Sequence, residues 1–414
     1  MWDRHFTTPP FAMVEIALDT PLEPLAFAEG INGAHVLVRF RDRPVGRFWL
    51  SRALHGDVVP IDTLQTHVDH VFDAGFGAAF LDDLAPARTP EPAPAITIAI
   101  CTRDRPALLR RCLEALVERR DQATRAAVDL VVVDNAPSDS GTRDAVADFP
   151  SVRYVVEPVP GLNFGRNRAL VEAKGDWLGF IDDDAIPDRG WLDALIEGIA
   201  DSPTAGGFAG PIMPMMLETE AQMRFERSGG FGKGFQFKRF ARERYGDPFH
   251  PTGQGNFGTG ASMVFSAHVM REIGGFDEAL DTGPPLPGGG DSDSFYRVIR
   301  AGHPVIYLPG LMVHHEHRRD MPGLRKQYHS WGLSNGALLG KTKARDPQMF
   351  KLQRRTLATY VVQRAKRLVF SLAGRGPLTP RLNWAELAGA LAGCLGEYER
   401  SQKRVSLRKA EKDA

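Results

Sequence analysis

At 414 residues the chain exceeds one ordinary domain of about 150 residues, so two or three units are expected. With 43% apolar and 25% charged residues it has the composition of an ordinary globular protein able to bury a core, which excludes a disordered chain or a disulfide-stapled scaffold. The formal charge is zero, yet Met321–Ala414 carries 19 Lys and Arg against 6 Asp and Glu, so a basic tail at +13 balances an acidic body at −13.

No window approaches about 18 uninterrupted apolar residues, and Met1–His5 lacks the apolar run of a signal peptide. Cys101, Cys112 and Cys394 are odd in number and lack metal-ligand spacing, so free thiols in a reducing compartment are expected. We expect a cytoplasmic protein with no nucleic-acid partner. The basic tail suggests a further partner, such as the inner face of a membrane.

Residues 1–84 read as a small β-rich domain with a helix. Val36, Val38 and Phe40 alternate with positions expected to be more exposed, Arg41–Pro44 turns the chain, and Val45–Leu50 returns it as a hairpin. Ile61–Leu84 has helical spacing through Ile61, Leu64, Val68, Val71 and Phe72. Residues 85–95 are Pro- and Ala-rich and read as a linker that lets the first domain move.

From 96 to 320 the texture becomes alternating β and α. "AITIAIC", "VDLVVVDNA", "VRYVVE" and "DWLGFIDDDA" are continuous apolar strands; helical stretches such as that beginning at Pro106 separate them. This predicts an α/β fold with a mostly parallel sheet flanked by helices, whose ligands bind at the carboxyl ends of strands. The polar residues gather there: Thr102-Arg103-Asp104, Asp134-Asn135 and Asp182-Asp183-Asp184. Residues 212–256 lack clean periodicity and read as a mobile excursion over the site. Residues 321–414 read as a helical basic region, with Leu357, Val361, Ala365, Leu368 and Leu372 on one face.

Four constellations carry chemistry. Three adjacent carboxylates, Asp182–Asp184, repel one another unless a cation offsets them; Mg²⁺ or Mn²⁺ is one reading and a helix N-cap cluster the other. Asp291 and Asp293 follow three glycines, and either a proton acceptor or helix capping accounts for them. His314, His315 and His317 crowd one strand end, where imidazoles can ligate a metal. "GLNFGRNRA" combines a Gly-rich turn with Arg166, suited to phosphate oxygens. His67 and His70 read as ordinary helix residues.

Together these pieces, in this order and over about half the chain, resemble family 2 glycosyltransferases of the GT-A fold. The resemblance implies an inverting, metal-dependent transfer from a nucleoside-diphosphate sugar, with a lean to uridine, onto an acceptor hydroxyl. It implies that Thr102, Arg103, Asp134 and Asn135 cradle the nucleoside and that Arg166 reaches the base or diphosphate. Asp182, Asp183 and Asp184 would form the acidic element touching ribose and metal, with Asp184 and His315 as ligands of Mn²⁺ or Mg²⁺; His314 and His317 are the other registers. Asp291 would be the general base. The chain departs from the family in having Gly290 where an acidic residue usually precedes that aspartate. The acceptor stays open among a glycan, a lipid-linked glycan and a small molecule.

Two rival readings remain. A sugar nucleotidyltransferase would carry a Gly-rich loop after the first strand, where this chain has "CTRDRP". A non-catalytic nucleotide or carbohydrate sensor would not need Asp182, Asp184 and Asp291 together.

Overall fold

The computed structural model describes residues 8–71, 92–242 and 257–413. Near the N-terminus, β1 (Phe11–Ala17) runs parallel to β2 (Gly33–Phe40), and β2 pairs antiparallel with β3 (Arg43–Ser51). The hairpin turns at Arg41, whose φ is +50°. Helix α1 (Ile61–Val71) covers one face through Leu64 and Val68, while Ile61 stays exposed.

The expected alternation along β2 fails: His35, Leu37 and Arg39 are as buried as Val36 and Val38. Their face of the sheet is covered by the body of the protein. Leu37 packs on Met213 and Met312, and Arg39 reaches Asp188 at 2.5 and 3.0 Å. A strand covered on both faces loses its polar period. Only residues 61–71 of the expected 61–84 helix and 92–95 of the 85–95 linker lie within the described residues.

The body is an eight-stranded sheet. In chain order its parts are β4 (Ala95–Thr102), α2 (Pro106–Gln122), β5 (Ala127–Asn135), α3 (Gly141–Ala147), β6 (Val152–Glu157), α4 (Leu162–Glu172) and β7 (Trp177–Ile181). There follow β8 (Ala185–Pro187), α5 (Trp191–Asp201), β9 (Gly207–Ala209), β10 (Ile212–Pro214), α6 (Glu220–Arg227), β11 (Lys238–Phe240) and β12 (Ser262–Ser266). The last are α7 (Ala267–Glu272), α8 (Gly290–Arg300), β13 (Val305–Tyr307) and β14 (Val313–His315). The strand order is β11-β13-β9-β12-β7-β4-β5-β6. The pairs β7–β4, β4–β5 and β5–β6 are parallel, and β12 is inserted antiparallel beside β7.

Alternate strand residues feed two cores, as a doubly covered sheet requires. Ile98, Ile100 and Val132 pack with Leu113 of α2 and Leu195 of α5. Ala99, Val131 and Val133 pack with Leu170 of α4 and Phe295 of α8. The described part of 212–256 is built into the fold rather than lying loose over it. Helix α6 opens with a capping box between Thr219 and Gln222, two local backbone N–H groups satisfied at once.

Four helices complete the chain: α9 (Met321–Arg345), α10 (Phe350–Leu372), α11 (Pro380–Gly393) and α12 (Glu397–Asp413). Helices α9 and α11 approach closely because glycines line the contact: a Cβ on Gly332 would stand 2.0 Å from the Glu386 carbonyl oxygen. Lys341 of α9 binds Asp277 and Asp293 at 2.6 and 2.5 Å, and Tyr398 of α12 donates to Asp277. The face read on α10 turns inward instead of forming an open stripe: Leu357 is buried and Val361, Ala365 and Leu368 are half-buried. Val362, Val369, Phe370 and Leu372 are the exposed apolar residues there. Among the described residues no helix is long and apolar enough to cross a membrane.

Candidate active site

Because β4, β5 and β7 run parallel, Thr102, Asn135 and Asp182 end on one edge of the sheet. They open on a cavity of about 870 Å³ that also takes in Arg103, Arg166, Asp183, Asp184, Asp291 and His315. Of the residues to which the resemblance gives the nucleoside, diphosphate, acidic-element or base role, Asp134 alone is not among those lining this cavity. It is fully buried and accepts a hydrogen bond from Tyr154 at 2.8 Å, bracing β5 against β6.

The three adjacent aspartates have separate surroundings. Asp183 accepts from the Thr102 hydroxyl at 2.6 Å and from Arg105 at 3.1 Å, so it ties β7 to the loop after β4. Asp184 lies 3.1 Å from His315 Nε2. Ligand atoms of Asp182, Asp184 and His315 all fall within 4.8 Å of one another. Burial, then the charge of Asp184, push the Asp182 carboxyl above its ordinary range. Burial acts the same way on Asp184, but hydrogen bonding and charge from His315 outweigh it and hold that carboxyl low. Two carboxylates and an imidazole, crowded so that one acid resists ionising, form a donor set suited to a divalent ion such as Mn²⁺ or Mg²⁺.

Of the three histidines, His315 alone turns to this cluster. His314 faces Asp188 at 3.4 Å, and His317 is buried against Glu226 at 3.2 Å. His317 Nδ1 also lies 3.2 Å from His315 Nδ1. Glu226 is in turn paired with Arg47 of β3. A chain of contacts therefore runs from the N-terminal sheet through Glu226 and His317 to the candidate metal ligand. Partners of this kind fix ring orientation and tautomer.

Helix α8 opens at Gly289, whose φ of +96° suits glycine, and carries Asp291 into the cavity. Asp291 Oδ2 accepts from the Gly260 backbone at 3.0 Å. Asp293 points elsewhere, to Arg297 and Lys341, in the structural role open to it from the sequence. Arg166 is buried, 3.0 Å from Asp281. Asp281 was not singled out in the sequence. Its Oδ2 accepts from the Gly290 backbone at 2.9 Å and occupies the space beside Gly290, since a Cβ there would come within 2.3 Å. A carboxylate thus lies next to Asp291, although residue 290 supplies none. Asn135, besides lining the cavity, pins the turn before α4 by accepting from Gly161 N at 2.8 Å.

The far wall comes from the C-terminal helices: Tyr328, Trp331 and Asn335 of α9, Tyr360 and Arg364 of α10 and Glu386 of α11. Nothing in their spacing marks them as cavity residues.

Residues 97–263 match the family model described as Glycosyl transferase family 2. Over 230 residues the chain is 27% identical to the pre-mycofactocin glycosyltransferase of Mycobacterium tuberculosis, covering 55% of this chain but 43% of that one. It is 26% identical over 255 residues to the succinoglycan biosynthesis protein ExoM of Rhizobium meliloti, covering 59% of this chain and 75% of that one. Among solved structures, a mannosyltransferase from Pyrobaculum calidifontis in complex with GDP-Man and Mn²⁺ is 18% identical, with a TM-score of 0.47 over 78% of this chain and 95% of that one. The central segment of this chain, residues 97–263, is thus the part that matches glycosyl transferase family 2.

Proposed function

We propose that the protein is an inverting, metal-dependent glycosyltransferase. It takes a nucleoside-diphosphate sugar, a uridine nucleotide by preference, as donor and a hydroxyl of a glycan, a lipid-linked glycan or a small molecule as acceptor. The observation that carries this is one cavity holding both the Asp182–Asp184–His315 cluster and Asp291. A Mn²⁺ or Mg²⁺ ion held there by Asp184 and His315, with Asp182, would offset the charge of a leaving diphosphate. Thr102, Arg103 and Asn135 line the same edge and would receive the nucleoside, with Asp183 holding the Thr102 hydroxyl in place. Arg166 is buried beside Asp281 and would face donor oxygens. Asp291 would accept the proton of the acceptor hydroxyl while that oxygen attacks the anomeric carbon opposite the leaving group.

Thermal melting of the full chain against a panel of nucleotide sugars, with and without Mn²⁺, tests this reading, since a ligand bound only by the folded state raises the melting temperature. The matching donor should act only with metal and should be hydrolysed slowly without acceptor. Binding without turnover would make the protein a sensor; turnover unaffected by chelation would remove the metal.

A peripheral contact with the inner face of a membrane belongs to the same proposal. Val362, Val369, Phe370 and Leu372 are exposed on α10, which carries six Lys and Arg and no Asp or Glu. Each basic residue near an anionic surface contributes about 1 kcal/mol at most, weakened by salt. Flotation with anionic vesicles should recover the protein at low salt and lose it at high salt; no binding at low salt would end the idea.

A further inference from the structure

The carboxylates of the cavity are matched by cations at one end, where Arg105 pairs with Asp183 and Asp184 and Arg166 with Asp281. That end holds the acidic cluster; the other, walled by the C-terminal helices and the loop after α6, holds Lys233, Arg364 and Arg367. A carboxylate, Glu386, lines the same end as these three and is 1% exposed. Its Oε1 is already engaged by the Tyr360 hydroxyl at 2.6 Å and by Arg364 at 2.7 Å. Among the described residues neither Lys233 nor Arg367 has an ion-pair partner. Burial, then the charges of Lys238 and Arg364, lower the pKa of Lys233, and burial and Arg364 do the same for Arg367. Burial is the larger cause in both, and at Arg367 the charge of Glu386 offsets only part of it. Glu386 Oε2 is buried and has no hydrogen-bond partner, a polar atom costly to leave unmatched. Phe231, Tyr328 and Trp331 line the same stretch, and apolar sugar faces pack well on such rings.

We infer that this end is an acceptor subsite for a molecule carrying an anionic oxygen group, a phosphate ester or a carboxylate. Lys233 and Arg367 hold the anion, and Glu386 Oε2 accepts from a neighbouring hydroxyl. Arg364 is committed to Glu386 and the Tyr360 ring, 4.4 Å away, and positions them. The guanidinium of Arg367 offers paired donors that match either group. The inference rests on the reading of the cavity as a donor–acceptor site.

Isothermal titration of the full chain tests it, with phenyl phosphate, phenyl glucuronide and neutral phenyl glucoside as probes in metal-free buffer. UDP with Mn²⁺ is titrated in parallel. At least one anionic probe should bind about tenfold tighter than the neutral one, as charge-assisted pairing predicts. The double variant Lys233→Gln, Arg367→Gln should abolish that preference and leave the affinity for UDP with Mn²⁺ unchanged. Preference for the phosphate would identify a phosphate-linked acceptor, and preference for the glucuronide an acidic sugar; either supports the subsite. Equal binding of charged and neutral probes would overturn it, as would a double variant that keeps the preference or that loses UDP with Mn²⁺ in the same measure. If UDP with Mn²⁺ never binds while the preference persists, the transferase reading fails and the anion subsite stands.

Discussion

The N-terminal sheet and the C-terminal helices flank the same cavity by opposite means. The sheet touches it at a remove, through Arg47, Glu226 and His317 to His315, and is fastened by buried charge pairs. The helices supply cavity wall directly and are fastened largely by close backbone packing at Gly332, Gly336, Gly389 and Gly393. A buried ion pair is costly to break on one side, because the remaining charge keeps its desolvation penalty. A glycine contact fails through steric overlap instead. The two flanks should therefore respond to different insults, and the following experiments separate them.

The largest effect sets the scale for direct participation. Asp291→Asn should lower kcat by about 10²–10⁴-fold while donor affinity changes little, because the amide keeps the shape but cannot take a proton. Wild-type turnover in this variant would remove Asp291 from the chemistry.

Next comes the indirect route. Arg47→Met leaves Glu226 buried with His317 as its remaining close partner, and Mn²⁺ affinity should fall about 10–100-fold, the usual consequence of losing a partner behind a metal ligand. Metal titration of the purified variant measures this. An unchanged dissociation constant would mean that the influence of the sheet stops short of His315.

On the helical side, Gly389→Val should lower the melting temperature through about 1–3 kcal/mol of overpacking. A Cβ at that position would lie 2.2 Å from the His329 carbonyl oxygen. Mn²⁺ affinity should be untouched. If metal binding falls with stability, the two flanks are not independent.

The smallest effect is one of pH. Burial opposes ionisation of Asp188, but hydrogen bonds and charge from His314 and Arg39 outweigh it and lower its pKa from 3.8 to about 2. A carboxylate held low in the folded state stabilises fully above its unfolded pKa and loses that contribution as pH falls through the folded value. Here that is about 2 kcal/mol, present above pH 3.8 and lost towards pH 2. Acid unfolding followed by circular dichroism, in the natural chain and in Asp188→Asn side by side, reads this. Asp188→Asn with an unaltered acid profile would show that the pair contributes nothing to docking.

What could be read in advance follows the range of the interactions. Ile96–Ile100 and Leu130–Val133 announce doubly covered strands because burial on both faces erases their polar positions locally. Asp182–Asp184 and His315 stand out because adjacent carboxylates and crowded imidazoles call for compensation. The burial of Arg39 escapes the alternating pattern because what covers it is remote in sequence; it meets Asp188 at a separation of 149. Asp281, a lone loop carboxylate with φ of +51°, offers no pattern at all. The Tyr328–Trp331–Arg364 wall is invisible for the same reason: helix packing alone assembles it.

The short ladder of β8, β14 and β10 has one more consequence. Ala185 pairs with His315, and the Glu316 backbone donates to the Asp184 carbonyl at 2.9 Å. The carboxylate and the imidazole that would share an ion are therefore carried on hydrogen-bonded neighbours, their spacing set by main chain rather than by the ion. Such a seat would hold its shape with or without an ion. Stripping and reloading the ion should proceed without a lag for refolding, and cations of the wrong radius should be rejected by a frame that cannot shrink or swell to meet them.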